Sequence, residues 1–562
     1  MGCSFSTPRA TKPEVPITDL VSYALDKQTN YDGDKRVFIN AEDPSQFLTA
    51  DGTVKLVRQL IAGMQAQGLK KGDSVLLHMA NHYLYGALVF AIMGAGGIAC
   101  GSNPAYQVFE LNHVVETAAP RFIITAERTA GLVLQVCEKR GMSADSVFVF
   151  GTTHPLRQEK TPQTYVSEVV GGASTQPLTN LLRYGESDWQ KLRSKAEMKN
   201  TIACYYSTSG TTGLPKLAQL SHYALIAQRE VLHNDVPYEV IRLSTLPLFH
   251  TLGAIWPLFA TVRHGNPVYI MARFNLDALA NNIHKYAVSE TYLTPPIIHA
   301  LNASDLPLEE QLATVRYIGT GGAPIDGVAI GKLKAKLNPK ATISQIWGMT
   351  EFGIATIFRW GEQDTTGSIG RILPGYEMRL VDGEGKEITA DNVTGELQIR
   401  TAGVMSGYKN KSADGIGEDK WFPTGDVVYK KNGKLYINGR QKELIKVRGW
   451  QVAPAEIEAV LLQHPEVADC AVIGTPTADQ QTEVPRAYIV RKKRLDSDSD
   501  SDSSKGQVTG EEIYDYIRGQ LASYKRLDGG VVFVTSIPRT ASGKTQRFKL
   551  AEMEIKEEKS GI

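Results

Sequence analysis

Apolar positions recur along this chain with two different periods, and the change of period divides it. Between residues 54 and 125, amphipathic helical stretches (Val54 to Gln67, Phe109 to Thr117) alternate with short apolar strands (Ser74 to His78, Arg121 to Thr125). That alternation predicts an α/β region in which helices cover a parallel sheet. The run from Tyr83 to about Gly101 carries no charged residue and approaches the ~18-residue length of a membrane span. Its glycines and alanines instead predict a buried helix followed by a buried strand. The same alternation returns from about Thr201 to Trp347, with strands near Ile202 to Tyr206, Leu243 to Leu246, Pro267 to Met271 and Ile343 to Trp347.

After about Ile369 the period shortens to two. Strands Tyr376 to Val381, Glu396 to Arg400 and Val427 to Lys430 are separated by Asp-Gly, Asn-Gly and Thr-Gly turns, which predicts an antiparallel β region. From about Gln441 a smaller pattern begins, with helices at Pro454 to Gln463 and Gly510 to Ser523 and strands at Val467 to Ile473 and Arg486 to Arg491. The main boundary therefore falls near Arg440 to Lys442, giving expected domains of 1–440 and 441–562. The stretch from Arg491 to Ser504 is basic, then an acidic Asp-Ser repeat, and reads as a solvated loop.

Composition narrows the partners. The chain has 562 residues, 42% of them hydrophobic, with 61 Lys and Arg against 60 Asp and Glu for a net charge of +1. At roughly 100–200 residues per domain this length allows several folding units, and the balanced charge gives no general footprint for nucleic acid. Cys3, Cys100, Cys137, Cys204 and Cys470 are scattered and form no CxxC pair, which argues against a disulfide framework or a zinc cluster and for a reducing, cytoplasmic setting. Met1-Gly2-Cys3-Ser4-Phe5-Ser6 fits the myristoylation pattern with Cys3 as a second acylation site, so membrane contact is expected only if Gly2 or Cys3 is lipidated.

Candidate chemistry begins where the strand Ile202 to Tyr206 runs into Ser207-Thr208-Ser209-Gly210-Thr211-Thr212-Gly213-Leu214-Pro215-Lys216. Glycines permit close backbone approach, hydroxyls donate hydrogen bonds and the lysine adds positive charge, a combination suited to a polyphosphate. The loop is not a Walker A loop. Lys216 does not follow a glycine, and the next helix N-cap is Ser221, opening a helix to Leu232.

This loop resembles the phosphate loop of the adenylate-forming superfamily, which includes acyl-CoA synthetases, luciferases and peptide-synthetase adenylation domains. Further motifs agree in the family's order. Gly319-Thr320-Gly321-Gly322-Ala323-Pro324 resembles the adenine-side loop, and Gln345-Ile346-Trp347-Gly348-Met349-Thr350-Glu351 the Gly-Tyr-Gly-Met-Thr-Glu signature. Thr424-Gly425-Asp426 with Arg440 resembles the ribose clamp, and Pro538 to Lys544 the carboxyl-terminal lysine loop. The stretch Arg440 to Pro454 resembles the 4-coumarate:CoA ligase subgroup. The implied fold is a large amino-terminal domain of parallel-sheet α/β subdomains plus a small β-barrel-like subdomain, followed by a small mobile α+β domain.

The ribose clamp also follows from hairpin geometry. Asn432-Gly433 is a strong type I′ turn signal, which pairs Lys431 with Lys434 and, counting back, sets Asp426 opposite Gly439 beside Arg440. A carboxylate acceptor and a guanidinium donor then sit at one end of the ribbon. Glu351, at the end of a buried strand, suits Mg²⁺ on ATP phosphates, because this ion keeps most of its waters and takes one or two protein oxygens.

The resemblance implies roles for the rest. Lys544 contacts the substrate carboxylate and the ATP α-phosphate, and Thr350 a phosphate. Lys442 is the hinge, Lys446 and Gln451 serve the adenylate, and Arg273, Arg448 and Gly449 meet coenzyme A. His250, Leu252, Thr320, Gly321, Ile346 and Met349 border the acyl group, together with Gly322 and Thr294 to Ile297. Leu252 and Ile346 replace the Tyr and Gly of plant hydroxycinnamate ligases, which implies a more apolar pocket for a medium-chain or non-phenolic aryl acid. The expected enzyme is a monomer or weak homodimer that converts a carboxylic acid, ATP and CoA to an acyl-CoA through an acyl adenylate. Loading of a carrier protein, a luciferase-like oxidation and a catalytically silent nucleotide-binding protein are the alternatives.

Overall fold

The computed structural model describes residues 13–27, 31–151, 175–208, 215–232, 236–447, 450–477, 482–492, 508–541 and 543–560. Two large sheets organise residues up to about 440. In the first, eight strands run in the spatial order Gly407–Tyr408, Lys216–Ser221, Ile202–Thr208, Ile98–Ser102, Ser74–His78, Pro120–Ala126, Val147–Phe150 and Gln176–Pro177. The strands from Ile202–Thr208 outward to Gln176–Pro177 pair parallel, as the helix–strand alternation predicts. The uncharged run becomes the wholly buried helix Tyr85–Gly94 and the buried strand Ile98–Ser102. Among the described residues no helix is long and apolar enough to cross a membrane.

The second sheet has nine strands, ordered Arg371–Ile372, Gly353–Ile357, Thr342–Met349, Tyr317–Gly321, Glu290–Leu293, Arg242–Ser244, Val268–Ile270, Arg36–Asn40 and Phe47–Thr49. Its central strands are parallel, so the carboxyl ends of Glu290–Leu293, Tyr317–Gly321 and Thr342–Met349 open on the same edge. Open α/β sheets bind ligands at that edge.

Several strands differ in length from the sequence reading by one to three residues, and the long helix starts at Ala50 because the Thr49 side chain caps it by accepting from the Gly52 amide. Ser221 caps the helix His222–Glu230 in the same way, its hydroxyl accepting from the Ala224 amide.

The antiparallel region is a five-stranded ladder, Glu387–Ile388, Tyr376–Val381, Thr394–Thr401, Phe422–Lys431 and Lys434–Arg440. Asn432 and Gly433 take φ of 52° and 72°, the left-handed pair a type I′ turn needs, and Lys431 does face Lys434. Counting back fails further along. Val428 faces Ile437 but Val427 faces Gly439, so Asn438 is an extra residue and Asp426 lies opposite Arg440, not Gly439. The cause is a β-bulge, and Gly439 at φ 143° supplies the backbone freedom it requires.

Beyond Arg440 the chain turns through Gln441–Leu444 and builds a smaller unit. The hairpin Ile445–Val447 and Trp450–Val452 precedes a three-stranded sheet of Val467–Pro476, Glu483–Arg491 and Val531–Phe533. Helices Pro454–Leu461 and Gly510–Gln520 bury Ile457, Leu461, Ile513 and Ile517 in its own core.

Candidate active site

A cleft runs between the carboxyl edge of the nine-stranded sheet, the antiparallel ladder and the smaller unit, and most motif residues border it. Ser207 and Thr208 enter it from the end of their strand, and the Ser207 hydroxyl is buried with no hydrogen-bond partner among the described residues. Thr208 pairs with Lys216 across an antiparallel ladder, so the ends of the phosphate loop are held side by side. Residues 209–214, with Ser209, Gly210, Thr211, Thr212 and Gly213, lie outside the described residues. So do Gly2, Cys3, Arg448, Gly449 and residues 493–507.

Lys216 and Glu351, 135 positions apart in sequence, meet on one ring. The Tyr408 hydroxyl donates to Glu351 Oε1 at 2.6 Å, and Lys216 Nζ lies 5.2 Å from the centre of the Tyr408 ring. Burial first, and then the Glu351 charge, push the Tyr408 pKa upward, so the phenol remains a donor. Tyr408 has no motif to betray it. Its place depends on Gly407–Tyr408 pairing with Gln219 and Ala218.

Gly322, Ala323 and Pro324 border the cleft after the strand Tyr317–Gly321, and Gln345, Ile346, Trp347 and Gly348 border it from the neighbouring strand. Gly348 cannot be larger there, since a Cβ would lie 2.1 Å from the Gly353 carbonyl oxygen. Trp347 Nε1 donates to Asp426 Oδ2 at 2.8 Å while Arg440 Nε reaches Asp426 Oδ1 at 3.0 Å. Asp426 is thus fixed by two elements, the signature strand and the hairpin's far end. Met349 and Thr350 follow half-buried at the strand's end, before the buried Glu351.

Lys544 enters the same cleft from the smaller unit. Its pKa is lowered, first by burial and then by Arg440, with Glu351, Asp426 and Glu443 acting in the opposite direction. His250 borders the cleft too and is pushed down to about 4, by burial first and then by the Lys544 charge, so it is neutral at pH 7. Its Nδ1 has no hydrogen-bond partner among the described residues, nor do Gln345 Oε1 and Thr320 Oγ1. Buried polar atoms of this kind await a partner.

Ile346 borders the cleft, and Tyr292 and Leu252 do not. A Cβ on Gly319 would fall 2.5 Å from the Tyr292 ring and 2.6 Å from Ile346 Cδ1, so these side chains converge over that glycine. Tyr292 stacks on Trp256 with ring centres 4.4 Å apart. Leu252 lies beyond them, lining a separate small cavity with Tyr292, Gly253 and Arg242. Gly321 packs on the Ile346 backbone, and Thr294 precedes the helix whose Pro295 and Pro296 reach the cleft, its carbonyl accepting from the Ile297 amide. Lys442 borders the cleft at the connecting turn. Lys446 is exposed opposite Gln451 on the hairpin, and Arg273 is exposed in the turn after Val268–Ile270 and does not line the cleft.

The strand end at Ser207 and Thr208, the Asp426–Arg440 pair and Lys544 thus meet at one cleft. Residues 25–409 match the family model of the AMP-binding enzymes and residues 456–544 that of the AMP-binding enzyme C-terminal domain. The chain belongs to this family. It is 40% identical to the nicotinic acid-CoA ligase olcI of Penicillium canescens over 96% of this chain and 98% of the relative. It is also 40% identical to the acyl-CoA ligase ppsA of Aspergillus oryzae, again over 96% and 98%. The ATP-bound MatB from Rhodopseudomonas palustris shares the fold, with a TM-score of 0.78, 24% identity and coverage of 95% and 98%. The protein is an AMP-forming acyl-CoA ligase that consumes a carboxylic acid, ATP and CoA.

Proposed function

We propose that the acid is a small ring acid, in the manner of a nicotinate or benzoate, and not a medium-chain fatty acid. The convergence of Ile346 and Tyr292 over Gly319 carries this reading. His250 and Ile346 both border the cleft, and on this reading a flat ring lies beside them, whereas a long alkyl chain would need the space that Ile346 and Tyr292 fill. The name of the Penicillium relative, a nicotinic acid-CoA ligase, points the same way.

Residues 1–440 build the site and 441–562 act as a lid that turns at Lys442. In the first step the acid's carboxylate attacks the α-phosphorus of ATP, the bond to the β-phosphate breaks, and pyrophosphate leaves the acyl adenylate. Lys544 offsets the charge of the two anions as they meet, while Lys216 and residues 207–213 hold the phosphates. Asp426 and Arg440 hold the ribose, with Trp347, Gly322 and Ala323 beside the base. Glu351 fits a Mg²⁺ ion carried by the phosphates, being a buried carboxylate one of whose oxygens is already oriented by Tyr408. In the second step the lid turns, Lys544 withdraws, Lys446 and Gln451 serve the adenylate and Arg448 and Gly449 meet CoA, whose thiol gives its proton to solvent, attacks the activated carbonyl and displaces AMP. A reducing, cytoplasmic setting suits the described cysteines Cys100, Cys137, Cys204 and Cys470, all buried free thiols.

Pyrophosphate release across a panel of acids tests the acyl class. Ring acids are expected to exceed octanoate by at least about tenfold in kcat/KM, since each misfitted methylene in an apolar pocket is worth about 1–3 kcal/mol. Ile346→Ala should shrink that ratio by opening the way toward Leu252. Preference for octanoate in the unaltered enzyme would overturn the reading.

A further inference from the structure

The loop that carries Lys544 is tied at both of its ends to one side chain. Arg539 Nη1 donates to the Gly543 carbonyl at 3.2 Å and to Thr545 Oγ1 at 3.0 Å, on either side of Lys544. The rest of the guanidinium is held by Asp469, with Nη2 donating to Oδ1 at 2.7 Å and Nε to Oδ2 at 3.4 Å. Asp469 belongs to the strand Val467–Pro476, which pairs along its length with the central strand Glu483–Arg491 of the smaller unit's sheet. Arg539 and Thr545 also form an antiparallel bridge, and within the loop Thr540 N donates to Lys544 O at 2.8 Å. One planar fork therefore spans a rigid strand and both flanks of the lysine. Only arginine carries enough donors in that geometry.

The clamp stands against the large domain. Asp469 and Arg539 border the cleft together with His299 and Asp326, and the charges of Asp326, Asp469 and Arg539 all act on His299. The loop meets that domain at Gly543, where φ is +81° and a Cβ would lie 3.2 Å from Thr294. A flexible loop could not hold its lysine against this surface, and a displacement of about 1 Å in a reacting group can cost about 10²-fold in rate.

We propose that Arg539 and Asp469 are positioning residues for adenylate formation: together they shape the Lys544 loop so that it seats on Thr294 with the ammonium facing the nucleotide site. Neither touches substrate. Once the lid has turned for thioester formation, Lys544 is withdrawn and the clamp no longer bears on the chemistry. This rests on the role given to Lys544.

The two half-reactions separate a clamp from a general prop of the fold. Arg539→Gln and the near-isosteric Asp469→Asn are expected to slow acyl-adenylate formation about 10-fold to 100-fold in kcat, with the KM for ATP changed less than about threefold. Thioester formation from supplied acyl adenylate should stay within about twofold. Arg539→Lys should recover little, because an ammonium cannot span both partners, and the double variant should be no slower than Arg539→Gln alone. Equal loss in both half-reactions, or no loss in either, would overturn the proposal. Lys544→Ala is measured alongside: if it spares adenylation, the role of Lys544 falls and the clamp with it. If it abolishes adenylation while both clamp variants retain full rate, the clamp alone falls.

Discussion

Lys544→Ala is expected to lower acyl-adenylate formation by about 10²–10³-fold while leaving thioester formation from supplied acyl adenylate near its original rate. The effect is large because the first step brings a carboxylate against a phosphate, and the side chain lies where Arg440, Glu351, Asp426 and Glu443 all act on its charge. A donor fixed in place before the reaction costs no reorganisation at the transition state, which a mobile cation from solvent cannot match.

The same residue should set an alkaline limit. Burial, followed by Arg440, places the Lys544 pKa below the 10.5 of an ordinary lysine. The protonated form is the active one, so adenylation is full below that pKa and declines as pH rises through it. In kcat/KM, which reports the free enzyme, the decline should begin at lower pH than for an ordinary lysine. Bound ATP and carboxylate are anionic and raise the pKa again, so the limb in kcat should lie higher. Lys544→Ala should abolish this limb in what activity remains. A profile unchanged by the substitution would show that another group sets it.

The second large effect concerns stability. Arg242 and Glu290 face each other on adjacent strands of the nine-stranded sheet, with Nε 2.9 Å from Oε2 and side-chain exposures of 2% and 8%. Tyr238 donates to the other Glu290 oxygen at 3.1 Å. Arg242→Met should destabilise the large domain by about 3–5 kcal/mol, because it leaves a carboxylate buried without its counter-charge. Adding Glu290→Leu should return most of that loss, since replacing both members by apolar groups is often neutral. Unfolding midpoints of the single and double variants decide it, and a double variant no more stable than Arg242→Met would contradict the argument. Arg242 also lines the small cavity shared by Tyr292 and Leu252, so the pair braces the side chain that converges with Ile346 over Gly319.

Local signals made part of this legible in the sequence. Ser74 to His78 was readable as a strand because all five positions are buried, and Asn432-Gly433 as a turn because both residues tolerate positive φ. The register at Asp426 was not, since a bulge adds a residue that no period reveals, although the Asn438-Gly439 pair was a hint. Tyr408 and the Asp469–Arg539 pair escaped for a different reason. Each acts through a partner 57 or 70 positions away, and only strand pairing brings them together. The net charge of +1 is equally a sum that hides its parts, with Arg440, Lys442 and Lys544 all bordering one cleft.

The pairing of Thr208 with Lys216 has a consequence for how this site can change. Side chains alternate between the two faces of a strand, so slipping Lys216–Ser221 by one residue along Ile202–Thr208 would turn Lys216 to the opposite face, away from Tyr408. The register of this one ladder therefore decides which side of the sheet carries the lysine's charge.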